Sequence, residues 1–489
     1  MPVNKPCAEY TAKLTQWKTV RDCVEGQNAI KNGGTKYLPR PEGQSDKDYE
    51  NYKERAVFFD GTSRTAEGLH GLIFAKDPVQ VGADKIPDTF KELLKNVDAS
   101  GTSLDQFTSN IVWDAMQAPW GGILVDHTPV APGTSLADGK GFAYLKWYTA
   151  ESVYNWKYSV IGGARRLSRV VLREDIEKEK PDDEFDTVTT EAYRVLSFDK
   201  NGHYIQRVFV KDDKEKSEFV SLEYIEPKIN GERLNFIPFY TLPGEVPEKS
   251  MLLGLAFENI GHYQKTADYE NGLHLTGTPT PIAENMEQPT VTDIKTGEKK
   301  VVAVKLGGRQ FLFFAQKDKN GSFADVRVKF LEFIGAGLGQ ILQALNACLD
   351  RMAKLGIMAI GAEKKGVETA EVARIHRASE HGVLGAFARS ANEKITAAIR
   401  LFAVWNDIPE DKANLWAYEL TTDYNAEEFS AQVLAIMHTA RQSGEISRSV
   451  WFNALKRAKY IPESTTLDQF LQEIELDRTG GHGPDGDGE

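Results

Sequence analysis

Cysteine is nearly absent. Cys7, Cys23 and Cys348 are the only three in 489 residues, odd in number and far apart. They form neither a disulfide framework nor a C-x-x-C metal pair, which points to a reducing compartment. Long apolar runs are missing as well. GGILV and LFAVW are the longest, far short of the roughly 18 residues of a membrane span, and the start MPVNKPCAEYTAKL has no signal-peptide core. Positive charge is not in excess either. A net charge of −12 and a pI near 5.4 exclude a surface that grips nucleic acid throughout and leave room only for a local basic contact. The sequence also lacks G-x-x-x-x-G-K-[ST], G-x-S-x-G and H-E-x-x-H. His376 and His381 flank Glu380, but five residues apart on a helix their imidazoles point about 140° apart and do not share a metal. No catalytic residue, metal site or cofactor is expected.

What the chain does have is 41% apolar and 27% charged residues, enough for sizeable cores. By length it holds about three domains or one elongated subunit. The expected class is α+β. Residues 8–31 read as an amphipathic helix through Leu14, Trp17, Val20 and Val24, stopped by Gly33–Gly34. Ser45 or Asp46 caps a second helix over 48–74, and a third runs from Asp105 to Gln117. From 121 to 245 the texture turns to strands: GGILVDH, FAYLKWYTA, RRLSRVVLRED, EAYRVLSF, YIQRVFV and FIPFYTL. Asn201–Gly202 fits a two-residue hairpin turn, and EKEKPDDEFDTVTT reads as a solvated loop.

Helix returns at 253–276 with a poor apolar stripe of Leu255, Ile260 and Tyr263. A helix this polar needs polar surroundings, which neighbouring copies of the chain would supply. A β insert follows at 277–326, with a hairpin around Gly307–Gly308 and a turn at Asn320–Gly321. The next helix, 331–355, is clearly amphipathic through Leu338, Ile341, Leu345, Leu349 and Met352. Its Gly335, Gly337 and Gly339 suggest close helix packing. A loop, LGIMAIGAEKKGVETAEVARI, then joins a long helical pattern, 369–405, in which Gly382 and Gly385 permit a kink. The end adds a strand at WAYELTTDYN, helices near 426–442, 445–459 and 466–477, and a polar tail read as disordered.

The order of LAFENIGHYQKTADYENGL, TPTPI, β insert, amphipathic helix, loop and long kinked helix resembles the portal proteins of tailed bacteriophages. YLP, YENYKERAVFFDGTSRTAEGLHGLIF and PWGGILVDH look like one branch of that family, and the likeness runs from about residue 10 to 460. The resemblance implies a wing over 1–252, stem helices at 253–276 and 327–355, and a clip at 277–326 between them. It further implies a tunnel loop at 356–368, a kinked tunnel helix returning to the wing over 369–425, a helical crown at 426–477, and a tail at 478–489. The implied function is a ring, a dodecamer, at the capsid vertex, through which double-stranded DNA is packaged and later ejected. Implied partners are other copies of the chain, the DNA in transit, the terminase large subunit, a head-tail adaptor, and the major capsid and scaffolding proteins, with no membrane. The implied location is the virion, after assembly in the host cytoplasm.

By this resemblance Ile360, Gly361, Lys364, Lys365 and Gly366 touch DNA. Tyr263, Lys265, Asp268, Leu338 and Leu345 lie at the subunit interface of the stem, and Phe311, Phe313 and Phe314 dock partners at the clip. A loop meeting moving DNA must bind weakly, and small residues, mobile glycines and two lysines suit that. Without the resemblance, the loop reads as a surface connector and the phenylalanines as a core or subunit contact. Two other functional classes remain open at this point: a hydrolase without a local motif, and an oligomeric virion scaffold without a channel.

Overall fold

The computed structural model describes residues 3–127, 142–180, 183–211, 219–277, 280–294, 297–306, 309–315, 325–331, 335, 337–356, 370–422, 431–457, 460–461 and 465–480. It divides into two units, residues 1–422 and 423–489, and the class is mixed α+β, as expected.

The first unit begins with α1 (Ala8–Glu25), which buries Tyr10, Trp17, Val20 and Cys23 along one stripe. The single helix expected to residue 31 is interrupted at Gly26, whose φ of +96° suits glycine alone, and resumes as α2 (Gln27–Asn32). The helix expected over 48–74 is likewise two. In α3 (Asp46–Arg55), Ser45 Oγ caps the start by accepting from Asp48 N at 3.2 Å. The chain leaves that helix at Ala56, buries Phe58 against the ring of Tyr263, and restarts as α4 (Gly61–Ile73). Burying Phe58 is the reason for the break.

Next come β1 (Val79–Val81), α5 (Asp88–Leu93) and α6 (Leu104–Gln117), the last capped by Ser103 close to its expected start. The apolar run GGILVDH forms β2 (Gly121–His127), buried over its first six residues. It pairs with β3 (Ala143–Thr149), and a five-stranded antiparallel sheet follows in simple meander order. Its strands are β4 (Val153–Ile161), β5 (Ala164–Lys180), β6 (Asp183–Phe198), β7 (Tyr204–Lys211) and β8 (Phe219–Ile225). The short hairpin β9 (Lys228–Ile229) and β10 (Glu232–Arg233) leads to β11 (Phe239–Thr241), which completes the β2 sheet on its other edge.

Two strand-region expectations are corrected. The stretch read as a solvated loop is the far end of the β5–β6 ribbon, paired from Val170↔Leu196 out to Lys180↔Asp183. Its charged run followed by Thr187-Val188-Thr189-Thr190 has no apolar face, which suits a ribbon open to water on both sides. Asn201–Gly202 is not a two-residue turn. Residues 199–203 form a longer loop in which Asp199 Oδ1 accepts from Asn201 N and His203 N, both at 2.8 Å.

A buried polar network joins the two sheets. Arg194 Nε donates to both Glu174 oxygens at 3.2 and 3.1 Å, its Nη1 donates to Gln206 Oε1 at 2.7 Å, and Gln206 Nε2 donates to Asp126 Oδ1 at 2.9 Å. Lys146 Nζ closes on Glu174 at 2.8 Å.

The chain then runs into α7 (Leu253–Gly277) and the insert. The insert's strands are β12 (Thr280–Glu284), β13 (Thr290–Thr292), β14 (Lys299–Val301), β15 (Lys305–Leu306), β16 (Arg309–Gln310), β17 (Leu312–Phe314) and β18 (Arg327–Leu331). After it come α8 (Leu338–Gly356), α9 (Ala370–Trp405), α10 (Glu410–Ala413) and β19 (Ala417–Glu419), which pairs back onto β1. The helix expected from 331, or from 327 by the resemblance, therefore starts at Leu338. Arg327–Leu331 is a strand, and Gly335 at φ +66° is not helical. A Cβ on Gly337 or Gly339 would meet nothing within 4 Å, so these glycines do not mark close packing among the described residues. The long helix is unbroken through Gly382 and Gly385.

The second unit holds α11 (Ala431–Gln442), α12 (Arg448–Arg457) and α13 (Leu467–Gly480), near the three expected helices. Phe452 stacks at 5.2 Å from Phe470, and His438 lies 5.8 Å from Trp451.

Candidate assembly surface

Helices α7 and α8 pack on each other and carry the insert between them. Leu255 of α7 meets Gly356 of α8, and Gly272 of α7 meets Leu338 of α8, so the two helices run antiparallel over about 25 Å. At both ends a glycine lets the backbones approach. A Cβ on Gly356 would lie 2.5 Å from Thr65 Oγ1, and one on Gly272 would lie 2.5 Å from Leu338 Cδ2. Glu258 of α7 pairs with Arg351 of α8 at 3.0 Å.

The first half of α7 is held by the chain itself. Leu253, Leu255, Ala256, Tyr263 and Ala267 are buried against the N-terminal helices. Polar residues share that face. Asn259, fully buried, accepts from Thr62 N at 3.0 Å and Thr62 Oγ1 at 2.9 Å, and donates to Phe59 O at 2.7 Å. The first turn of α4 has no side-chain cap of its own, so Asn259 satisfies an otherwise orphaned helix N–H from a distant helix. Gln264 Nε2 reaches Tyr37 O at 2.8 Å, and Tyr52 OH donates to Asp268 Oδ1 at 2.6 Å.

Arg55 Nη1 still donates to Asn271 Oδ1 at 3.5 Å, and beyond it residues 273–277 are exposed. The sheet at the base of the insert is just as open. β12 is its centre, parallel to β17 through Ile282↔Leu312 and antiparallel to β18 through Ala283↔Val328. Side chains directly opposite share a face. One face therefore carries Ile282, Leu312, Phe314 and Leu331 together with Arg327 and the Lys329–Glu284 ion pair, and the other carries Pro281, Ala283, Phe313, Val328 and Phe330. The centre-strand residues are buried, while Phe314, Val328, Phe330 and Leu331 are each more than half exposed. One face of this sheet is apolar and the other mixes apolar residues with charge, and among the described residues no further strand pairs with β17 or β18.

The residues expected at the stem fall into two groups. Tyr263 and Leu345 are covered by the chain's own packing, and their burial needs no neighbouring copy. Lys265 is half-buried, with its Nζ donating to Gly261 O at 3.1 Å; Asp268 is exposed apart from its Tyr52 bond, and Leu338 is half-buried over Gly272. Of the three phenylalanines, Phe311 and Phe313 come together at 6.0 Å, while Phe314 points to the opposite face of the sheet. Ile360, Gly361, Lys364, Lys365 and Gly366 lie outside the described residues, as do Gly307–Gly308, Asn320–Gly321 and the side chains of His376 and His381. Reading of the sequence missed Asn259, Gly272 and Gly356. The signal for Asn259 is indirect: an Asn in mid-helix, and a distant helix start at Asp60-Gly61-Thr62 without an effective cap.

A cleft between α1, α4 and α6 is lined by Arg21, Asp22, Ser63, Glu67 and Asp114, and its charges hold one another: Arg21 reaches Asp114 at 2.8 Å and Glu151 at 2.5 and 2.9 Å. Among the described residues no group of three His, Cys, Asp or Glu side chains could hold a metal, and no helix is long and apolar enough to cross a membrane.

Comparison with known proteins gives a family model, described as a domain of unknown function (DUF4055), that matches residues 251–406. That segment is α7, the insert, α8 and the whole of α9. No curated protein matches. Among solved structures, a chain from one described as "Virion of native gene transfer agent (GTA) particle" is similar over 93% of this chain and 99% of that one, at 11% identity and a TM-score of 0.29.

Proposed function

We propose that the chain is a structural protein of a phage or phage-like virion, and within that class a portal-like connector that works as a closed ring. The observation that carries the reading is the antiparallel α7–α8 pair with its insert. It carries exposed apolar surface that one copy leaves open. In a ring, each distal helix half and each insert sheet is covered by its neighbours, which is the burial that an isolated polar helix and a three-stranded sheet require. On this reading α7 and α8 are the stem, the insert is the clip that meets the terminase and the adaptor, and the segment with Lys364 and Lys365 faces the DNA. The ring passes DNA and carries out no reaction of its own.

Mass photometry and negative-stain imaging of the purified protein test this. The expected result is one large species with a central opening. A monomer or dimer at micromolar concentration across a range of salt would refute the ring. A closed assembly without an opening would instead favour a virion scaffold.

A further inference from the structure

The five-stranded sheet carries charge that is sorted along one face. In β5, a bulge at Ser168 turns Arg166 and Arg169 to the same side, opposite to buried Leu167 and Val170. Register sets Lys157 of β4 directly across from Arg169, at a side-chain spacing of roughly 5 Å. Arg207 of β7 points to the same face through Val195↔Arg207 and lies 5.6 Å over the Phe209 ring, its Nε buried with no acceptor. Among the described residues no carboxylate pairs with these four cations. Arg165, Arg173, Arg194 and Lys211 around them are all paired, at 3.0, 3.1, 3.1 and 3.5 Å. Like charges placed directly opposite are destabilising without a counter-anion.

Farther along the same face the sign reverses. Asp175 and Glu177 of β5 are exposed and unpaired among the described residues. They stand where the sheet narrows, since β4 pairs with β5 only as far as Leu172 and β7 pairs with β6 only from Ala192. From there β5 and β6 continue as a two-stranded ribbon, which is marginal in water unless something covers it. The cations and the carboxylates cannot neutralise each other within one copy, because even Arg169 and Asp175, the nearest pair on β5, are about 20 Å apart along an extended strand.

We propose that the β5–β6 ribbon of one copy lies on the cation strip of the next, with Asp175 and Glu177 facing Lys157, Arg166 and Arg169. The contact is head-to-tail, so each copy gives one surface and receives the other, and it repeats around a closed ring. It rests on the ring reading above. A nucleic-acid strand fits the face less well, because it would meet carboxylates as soon as it ran past the strip.

The test is a charge swap read by the fraction of protein in rings, with Asp175→Lys plus Glu177→Lys as one variant, Arg166→Glu plus Arg169→Glu as the second, and all four changes as the third. Each of the first two should weaken assembly about tenfold or more near 0.1 M salt, with a smaller effect at higher salt. The third should regain most of the loss, which also shows that the variants fold. Rings that are absent in the unmodified protein overturn both this contact and the ring reading. Rings that form normally in the two single-side variants, or a swap no better than its worse parent, overturn the contact alone. Duplex DNA binding lost in Arg166→Glu plus Arg169→Glu, with assembly unchanged, assigns the strip to nucleic acid and overturns it as well.

Discussion

Replacing Asn259 by leucine is the sharpest single test of how α7 is anchored. The side chain makes three bonds from a fully buried position: two accepted from Thr62 and one donated to the carbonyl of Phe59. Leucine has nearly the same volume, so little cavity is created and the loss is almost purely polar. The Thr62 hydroxyl can turn to a carbonyl of the preceding turn, which relieves one bond. The Thr62 N–H is left buried without a partner, at about 1–3 kcal/mol, while the Phe59 C=O keeps the bond from Gly61 N at 2.8 Å. A destabilisation of about 2 kcal/mol is expected in urea unfolding, compared at equal association state. Thr62→Ala removes only the hydroxyl and should cost about 1 kcal/mol, and the double variant should cost much less than the sum, since the two residues share a bond. A loss below about 1 kcal/mol for Asn259→Leu, or simple additivity with Thr62→Ala, would refute the idea that this asparagine caps α4 from α7.

The two glycines at the ends of the shaft should differ. Gly272→Ala meets only the tip of Leu338, which can swing away, and it gains helix propensity, so its stability should stay within about 0.5 kcal/mol. Gly356→Ala meets Thr65, a stiff buried side chain whose hydroxyl is bonded to Gly61 O at 2.8 Å, and should cost about 1–3 kcal/mol in the same measurement. The sheet network should set the acid limb of stability. Burial alone would lift the Glu174 carboxyl, but Arg194 and Lys146 outweigh it and hold the group below its ordinary value of 4.5. A depressed folded value gives stabilisation that is whole above the unfolded value and lost as pH falls through the folded one. Glu174→Gln should therefore cost about 3 kcal/mol at neutral pH, with the gap to the unmodified protein closing below about pH 4, whereas parallel curves would count against the assignment.

Elements whose signal is local were legible in the sequence. Ser45 announces α3, the 3–4 spacing of leucines announces α8, and the apolar run GGILV announces β2. What failed were places where a distant contact decides. Nothing near Ala56 says that the helix must stop there; it stops because Phe58 has Tyr263 to pack on, more than two hundred residues away. The charged run after Glu174 looks like a loop because a ribbon with two wet faces shows no apolar alternation. The start of α8 was placed early because the strand Arg327–Leu331 continues the apolar pattern of the helix behind it, and only its pairing with β12 tells them apart.

The polarity of α7 was the most informative signal and the one read too simply. It suggested a helix flanked by other copies along its whole length. In the fold that polarity has two meanings, divided near Asp268. Before it, Asn259, His262 and Thr266 are buried, and Asn259 ties α7 to the N-terminal helices, so a polar residue there belongs to the folding of one chain. Beyond it, Arg55 still reaches Asn271 at 3.5 Å, but Leu273 and Leu275 are about two-fifths exposed. Asp268 sits on the division: it takes the Tyr52 hydroxyl and is otherwise open to solvent, so reversing its charge breaks that bond and disturbs folding. Leu273 and Leu275 carry no such tie. If copies do close around this shaft, these two positions separate the energy of assembly from the energy of folding, along a helix whose two halves look alike in sequence.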